Sequence, residues 1–165
     1  MYSFIPNKNK NKIIITETIY ISLAVFCLIF SLQVKIYQWL FQLSAILFFV
    51  LFAEIASRFS IPIYTYIINK NDIIITKKQN NRETKLCCIE ITDKAKILSK
   101  EDYLKEKNIL NKDIIRTFNY CQNIFSKSPC YLIFEFKNKF GLIIFEPNDE
   151  MVRLINEIIK TNSYN

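Results

Sequence analysis

The architecture of the first third of this chain is decided by two uncharged stretches, TIYISLAVFCLIFSLQV (residues 18–34) and IYQWLFQLSAILFFVLFA (residues 36–53). Each stretch is about as long as a helix that crosses a hydrocarbon core of roughly 30 Å. One straight helix over both would exceed about 50 Å at ~1.5 Å per residue, so the chain must turn between them. Lys35 and Trp39 mark that turn, because lysine and tryptophan favour the membrane interface. The sequence therefore predicts a transmembrane helical hairpin over residues 13–60.

Basic residues flank the hairpin unevenly. Several lysines precede the first stretch, and Arg58 and further lysines follow the second, whereas the turn carries only Lys35. By the positive-inside rule we expect a protein of the cell membrane with two spans and both termini in the cytoplasm. Residues 1–12 are polar and rich in Asn and Lys, and they are predicted to form a disordered cytoplasmic N-terminus. A cleaved signal peptide is the main alternative for the first stretch, but no small-residue cleavage site follows it.

Two acidic residues, Glu17 and Glu54, lie at the cytoplasmic ends of the predicted spans. Acids inside a membrane mark ion or proton paths in some proteins. Arg58 follows Glu54 by four residues, which suits an ion pair on one helix face and an interfacial role. The interfacial interpretation is favoured and the ion-path interpretation stays open. Gln38 and Gln42, also four residues apart, are placed to hydrogen-bond to the first helix.

The composition excludes several kinds of chemistry. The chain has no His and one glycine, Gly141, so it lacks the commonest general base and metal ligand and has no glycine-rich phosphate loop. From residue 60 onward, seventeen Lys and Arg stand against thirteen Asp and Glu, which is a weak case for nucleic acid. We therefore predict no catalytic, cofactor-binding or metal-binding residue. An odd number of cysteines without zinc spacing predicts reduced thiols at Cys27, Cys87, Cys88, Cys121 and Cys130.

Residues 61–165 have the pattern of a soluble cytoplasmic α+β domain. Pro62 disfavours helix at the residue before it, so the second helix is predicted to end there. Aromatic and β-branched runs between turn residues predict strands, and Ser99 is a predicted helix cap. The predicted elements are a hairpin at 64–68 and 73–76, a polar loop at 79–85, a strand at 86–92, a helix from 99 to 108 that buries Tyr103 and Leu104, strands at 114–121 and 131–136, a loop at 126–129, a turn at 138–141 and a strand at 142–145.

The last element predicted is a helix that opens at Pro147, Asn148 and Asp149, with acids in its first turn. Its apolar residues recur at helical spacing, which predicts an amphipathic helix packed across an antiparallel sheet. These residues are Met151, Leu154, Ile155, Ile158 and Ile159.

This order of elements resembles the bacterial pleckstrin-homology-like (PH-like) small membrane proteins with an N-terminal two-helix anchor. The resemblance covers roughly residues 61–160. It implies an antiparallel PH-like sheet closed by the C-terminal helix, no enzymatic activity, and binding or scaffolding at the membrane. Residues 94–113 are more charged and helical than the family's usual continuation, which leaves the strand count there open. The segments that carry the resemblance are YTYIINKNDIIIT (64–76), IEITD (89–93) and GLIIFEPNDEMVRLINEII (141–159).

Three functions remain open at this point. The favoured one is a membrane-anchored, non-catalytic interaction or scaffolding module that binds a protein partner or the lipid face. The second is a small oligomeric transporter or channel accessory subunit, which rests on the acids and glutamines of the helices. The third is an enzyme that uses Cys121 or Cys130, although no His is present to activate either thiol.

Overall fold

The computed structural model of the chain describes residues 1–110, 114–136 and 139–163. The elements are, in chain order, β1 (Tyr2–Phe4), α1 (Lys10–Gln33), α2 (Gln38–Ile55), a π-helical turn (Ala56–Ser60), β2 (Ile63–Asn69), β3 (Asp72–Gln79), β4 (Arg82–Glu90), β5 (Lys96–Leu98), α3 (Lys100–Leu110), β6 (Ile114–Asn119), β7 (Cys130–Phe136), β8 (Lys139–Phe145) and α4 (Asp149–Ser163).

The chain divides into two compact units. The helical unit comprises Lys8–Pro62, and the sheet unit comprises Met1–Asn7 together with Ile63–Asn165. The helical unit is therefore an insertion between the first and second strands of the sheet unit.

In the helical unit, α1 and α2 pack antiparallel. The rings of Tyr20 and Phe48 lie 6.4 Å apart between centroids, and those of Phe30 and Phe41 lie 5.9 Å apart. The chain turns between Gln33 and Gln38, as predicted, and the second helix continues through the π-helical turn to the residues before the proline. Both helices are long and apolar enough, by length and composition, to cross a membrane.

The predicted ion pair between Glu54 and Arg58 is wrong for the part of the chain that the structure describes. The Arg58 guanidinium instead lies 5.2 Å from the ring centroid of Phe59. The cause is the change from α to π winding at Ala56, since the wider π turn alters the alignment of residues four apart. The predicted hydrogen bonds from Gln38 and Gln42 to α1 are likewise absent among the described side chains.

The first sheet has the order β1-β2-β3-β4 and is antiparallel throughout. Its β2–β3 hairpin confirms the prediction and turns at Lys70, which has φ 53°. The polar loop predicted at 79–85 is wrong, because Asn80 (φ 54°) and Asn81 alone make the second turn and the following residues already belong to β4. Asparagine tolerates this left-handed backbone, so two residues suffice.

The predicted disorder of residues 1–12 is also wrong. Tyr2 pairs with Ile68 and Phe4 with Tyr66, and both N-terminal aromatic side chains pack against the core. The Tyr2 hydroxyl also accepts a hydrogen bond from Asn148 Nδ2 at 2.7 Å. A partner more than sixty residues away orders this short segment, so its polar composition did not reveal the strand.

The second sheet has the order β5-β7-β8-β6. Its β6 strand pairs with β8 in parallel, so the predicted antiparallel arrangement is confirmed for the other strand pairs but not for this one. The segment at 120–129 carries the chain past β8, and β7 then pairs on the other side of that strand. Gly141 was predicted to lie in a turn but lies within β8, while residue 138 of that turn falls outside the described residues.

Helix α3 begins as predicted, because Ser99 Oγ accepts a hydrogen bond from the Asp102 backbone N–H at 3.1 Å. Tyr103 is buried and stacks on Tyr131, with 4.2 Å between ring centroids. The predicted burial of Leu104 is wrong, since this side chain is 56% exposed. One residue turns a helix by about 100°, so neighbours cannot share the narrow buried face of this helix.

The main core of the sheet unit lies between the two sheets and is closed by α4. Met151 and Ile155 are fully buried, and Leu154, Ile158 and Ile159 pack at the margin of the same core. The predicted apolar stripe and the predicted closing helix are therefore confirmed. The result is an α+β domain whose two sheets leave one pair of outer strands, β4 and β6, open between them.

Candidate functional site

A cleft of about 210 Å³ opens in the sheet unit where β4 of the first sheet faces β6 of the second. Both are outer strands, and they do not pair with each other in the described part of the chain. Ile115 and Phe118 line the cleft from β6, and Phe136 lines it from β7. The lining is mainly apolar, and this cleft is the candidate site.

The cleft borders the edge of β4 rather than one of its faces. A β-bulge makes Leu86 an extra residue between Lys85, which pairs with Thr76, and Cys87, which pairs with Ile75. Beyond the bulge, the consecutive residues 87–89 all line the cleft. Since neighbours on a strand point to opposite faces, only the strand edge touches all three. The backbone groups on this side of β4 therefore face the cleft.

Gly141 allows close packing within the cleft lining. A Cβ atom at this position would lie 2.4 Å from Phe134 Cζ, far inside van der Waals contact. The Phe134 ring thus lies directly against the backbone of β8. This packing role was not predicted from the sequence, which indicated a turn at Gly141.

A thiol and a hydroxyl meet across the cleft. The Tyr120 hydroxyl and the Cys87 thiol lie close enough to affect each other's pKa. Burial raises the pKa of the Cys87 thiol to about 11, and burial, with Cys87 as a further cause, raises the pKa of the Tyr120 hydroxyl to about 12. Both groups are neutral at neutral pH. A neutral thiol is a poor nucleophile, so the pair joins the two sheets without being poised for covalent chemistry.

The two cysteines that the sequence offered as nucleophiles lie elsewhere. Cys121 is buried, and Cys130 is half-buried with a thiol pKa that burial raises. None of the cysteines in the described part of the chain forms a disulfide bond. No group of three or more His, Cys, Asp or Glu side chains within the described residues is arranged to hold a metal ion.

A buried polar network fixes the two segments of the sheet unit that border the helical insertion. Gln122 Oε1 accepts from the Tyr64 backbone N–H at 2.8 Å, and Asn123 Nδ2 donates to the Asn7 carbonyl at 2.9 Å. Glu146 joins them, since it accepts from the Gln122 backbone N–H at 2.9 Å and from Asn123. These bonds occupy the carboxylate, so the network is structural. Sequence reasoning missed it because no local pattern links its members.

The residues singled out in the helices do not form a common site. One carboxylate oxygen of Glu17 is buried and accepts no hydrogen bond within the described residues, whereas Glu54 is exposed. Their surroundings differ, although the sequence placed them at a similar depth.

Basic side chains lie in the cleft lining and on the β4 strand beside it. Arg116 lines the cleft, and Arg82 and Lys85 lie on the same strand as its β4 wall. None of these three takes part in an ion pair within the described residues, whose ion pairs lie on α3, α4 and around β5 and β7. Of the two acids on β4, Glu83 is engaged as an acceptor from Thr76 Oγ1 at 2.8 Å. The cleft can therefore attract an acidic partner.

Comparison with known proteins identifies a family. The model of a family described as "Bacterial PH-like domain (DUF6106)" matches residues 3–165, which include β1, both long helices and the sheet unit. No curated protein and no solved structure matches the chain.

Proposed function

Because the chain belongs to this family of bacterial PH-like domains, we propose that it is a membrane-anchored, non-catalytic interaction module. The helical unit crosses the cell membrane twice, and the sheet unit binds a partner protein in the cytoplasm. The observation that carries the proposal is that one chain joins a PH-like domain to two apolar helices of spanning length.

The exposure of the helices supports the anchor. Only 17% of the most apolar window of α1 and 6% of that of α2 are buried, whereas the core helix of a soluble protein is mostly covered. Side chains such as Phe26, Leu28 and Phe49 are more than half exposed. So large an apolar surface requires a covering phase, and a bilayer supplies one.

The topology of the sheet unit supports both termini lying on one side. Strand β1 precedes the helices and β2 follows them, and the two strands pair. Any membrane that the helices cross must therefore be crossed an even number of times, which two spans satisfy. The basic residues at the open end of the hairpin favour the cytoplasm as that side.

The chemistry of the sheet unit supports binding rather than catalysis. The Cys87 thiol is protonated, Glu146 is occupied by structural hydrogen bonds, and the chain has no His. What the cleft offers is an apolar lining, an unpaired strand edge and basic side chains, which are features of recognition.

The anchor is tested by extraction of membranes with alkaline carbonate. The tagged full chain should remain in the membrane pellet. A matched variant, in which a short Gly/Ser linker replaces residues 8–62, should move to the soluble fraction with its protease resistance intact. The linker can be short because Phe4 pairs with Tyr66, which brings Asn7 close to Ile63. Release of the full chain by carbonate would refute the membrane anchor.

A small oligomeric transporter or channel accessory subunit is the second candidate function. A buried carboxylate oxygen of Glu17 accepts no hydrogen bond within the described residues, and this acid on an apolar helix favours the second candidate, since acids inside spans often mark ion paths. Purified chain in liposomes should then conduct protons or cations, and Glu17→Gln should abolish the flux. Flux no greater than that of empty liposomes would exclude this candidate.

A further inference from the structure

We infer that an extended segment of a partner protein, with apolar residues alternating with acidic ones, adds as a strand to the edge of β4 in the cleft. This inference rests on the proposed interaction function and names the site and the kind of partner.

The first step concerns the strand edge. Within the described residues β4 pairs only with β3, so one side of this nine-residue strand keeps unpaired N–H and C=O groups. Natural proteins protect such edges with charges, prolines or bulges. The half before Leu86 is charged and the bulge lies at that residue, but residues 86–89 carry no charge and face the cleft. The unprotected half of the edge is thus the half that lines the cleft.

The second step concerns the size and shape of the occupant. At about 210 Å³ the cleft can enclose only the few side chains that a bound segment turns toward the apolar lining, and the rest of the segment lies at its mouth. Strand β6 borders its other side, so it can take one extended segment but not the edge of another folded sheet. A lipid acyl chain would fill the apolar space and leave the backbone groups of β4 unpaired, whereas a peptide backbone pairs with them.

The third step concerns charge. Arg116 lines the cleft and Lys85 lies near its Cys87, and neither has an ion-pair partner in the described part of the chain. Alternation of side chains along an added strand places every second residue toward the apolar lining. The remaining residues are then directed outward, where acids meet these basic side chains. Apolar and acidic residues therefore alternate along the partner segment.

The experiment uses the full chain in lipid nanodiscs and a phage-displayed library of random nine-residue peptides. We expect enrichment of sequences that alternate apolar and acidic residues. A synthetic copy of the enriched peptide should bind, and a copy with alternate backbone amides N-methylated should bind at least about tenfold more weakly, because it cannot form the ladder of hydrogen bonds.

Charge reversal and thiol protection locate the binding site. Arg116→Glu should weaken peptide binding by about tenfold, since it replaces an attraction to the acidic residues of the peptide with a repulsion. Lys100→Glu reverses an exposed lysine that does not line the cleft and should leave affinity unchanged. Bound peptide should also slow the alkylation of Cys88, an exposed thiol of the cleft lining.

Each result of these experiments either supports or overturns strand addition at the edge of β4. Equal binding of the N-methylated peptide would exclude strand addition, and undiminished alkylation of Cys88 would exclude this cleft. Enrichment of no peptide would overturn the inference, as would binding only to anionic vesicles or self-association of the chain through β4. A chain that resists carbonate extraction but binds no peptide would leave the anchor standing. A chain that binds peptide but washes off the membrane would refute the anchor alone.

Discussion

At the scale of single residues, Gly141 shows how one missing side chain shapes the candidate site. Alanine normally suits a strand better than glycine, but here its Cβ would meet the Phe134 ring at 2.4 Å. We expect Gly141→Ala to destabilise the sheet unit by about 1–3 kcal/mol, the range of overpacked cores. Limited proteolysis of the full chain in detergent measures this. The double variant with Phe134→Leu should recover part of the loss, and additive losses would refute the clash.

The Cys87 thiol makes the sheet unit sensitive to alkali. Burial raises its pKa to about 11 in the folded protein, from an ordinary value of 9.0. Between these pH values the unfolded chain releases the proton and the folded chain keeps it. Stability contributed by the neutral thiol is therefore complete below about pH 9 and is lost as pH rises toward 11.

We expect urea midpoints to fall between pH 8.5 and about 11, and to fall less steeply in Cys87→Ala. Cys88→Ala changes the exposed neighbour and should follow the unaltered chain. Part of the fall should persist in Cys87→Ala, because Tyr120 also has a raised pKa. Identical slopes in the two variants would show that Cys87 does not cause the sensitivity.

At the scale of elements, α4 closes the core through a few positions. Ile155 is fully buried in the core, so Ile155→Ala should lower the free energy of unfolding by about 2–5 kcal/mol. Arg153 lies on the outer face, in a loose 3.9 Å ion pair with Glu157, and Arg153→Ala should cost no more than about 0.5 kcal/mol. Protease resistance of the sheet unit reports both. Equal resistance of the two variants would mean that α4 is not docked.

Strand β1 was not predicted from the sequence, but it pairs with β2 and contributes to the core. A chain that starts at residue 61 lacks the partner of Tyr66 and the aromatic side chains of Tyr2 and Phe4. We expect residues 61–165 alone to be digested much faster than the linker variant that keeps residues 1–7. Hydrogen exchange of the β2 amides should also be faster without β1. Equal digestion of the two would show that β1 contributes little.

Sequence reasoning succeeded where a pattern is local and strong. The long apolar runs predicted α1 and α2, the Asn–Lys–Asn–Asp turn predicted the first hairpin, and helical spacing predicted α4. It failed where the partner lies far along the chain. Tyr2 and Phe4 become a strand only beside β2, and β6 pairs in parallel only because β7 lies on the other side of β8.

The candidate cleft could not be predicted for the same reason. Its walls come from strands far apart in the sequence, and its position depends on which strand edges remain unpaired. The charge of Arg116 and the apolar character of Ile115 were visible in the sequence. That they face the uncharged half of β4 follows only from the sheet order.

At the scale of the whole molecule, the two-span topology makes a prediction about accessibility. A reporter fused after residue 165 should be active in the cytoplasm, and a small epitope beside Lys35 should be reached from outside intact cells. An N-terminal reporter needs a flexible spacer, since residues 2–4 form a strand. A C-terminal reporter that is active only outside the cell would contradict the topology.

The pairing of β1 with β2 also sets an order of events during synthesis. Tyr2 leaves the ribosome first, but its partner Ile68 is 66 residues further along, with both long helices between them. At about 5–20 residues per second, the N-terminal strand waits roughly 3–13 seconds before its partner has been made. If the helices enter the bilayer as they emerge, the sheet can be completed only after the second of them has returned the chain to the starting side. The sheet is therefore completed only in chains whose helices have both been inserted. A chain stalled between the two helices keeps an unpaired N-terminal strand that quality-control proteases can recognise.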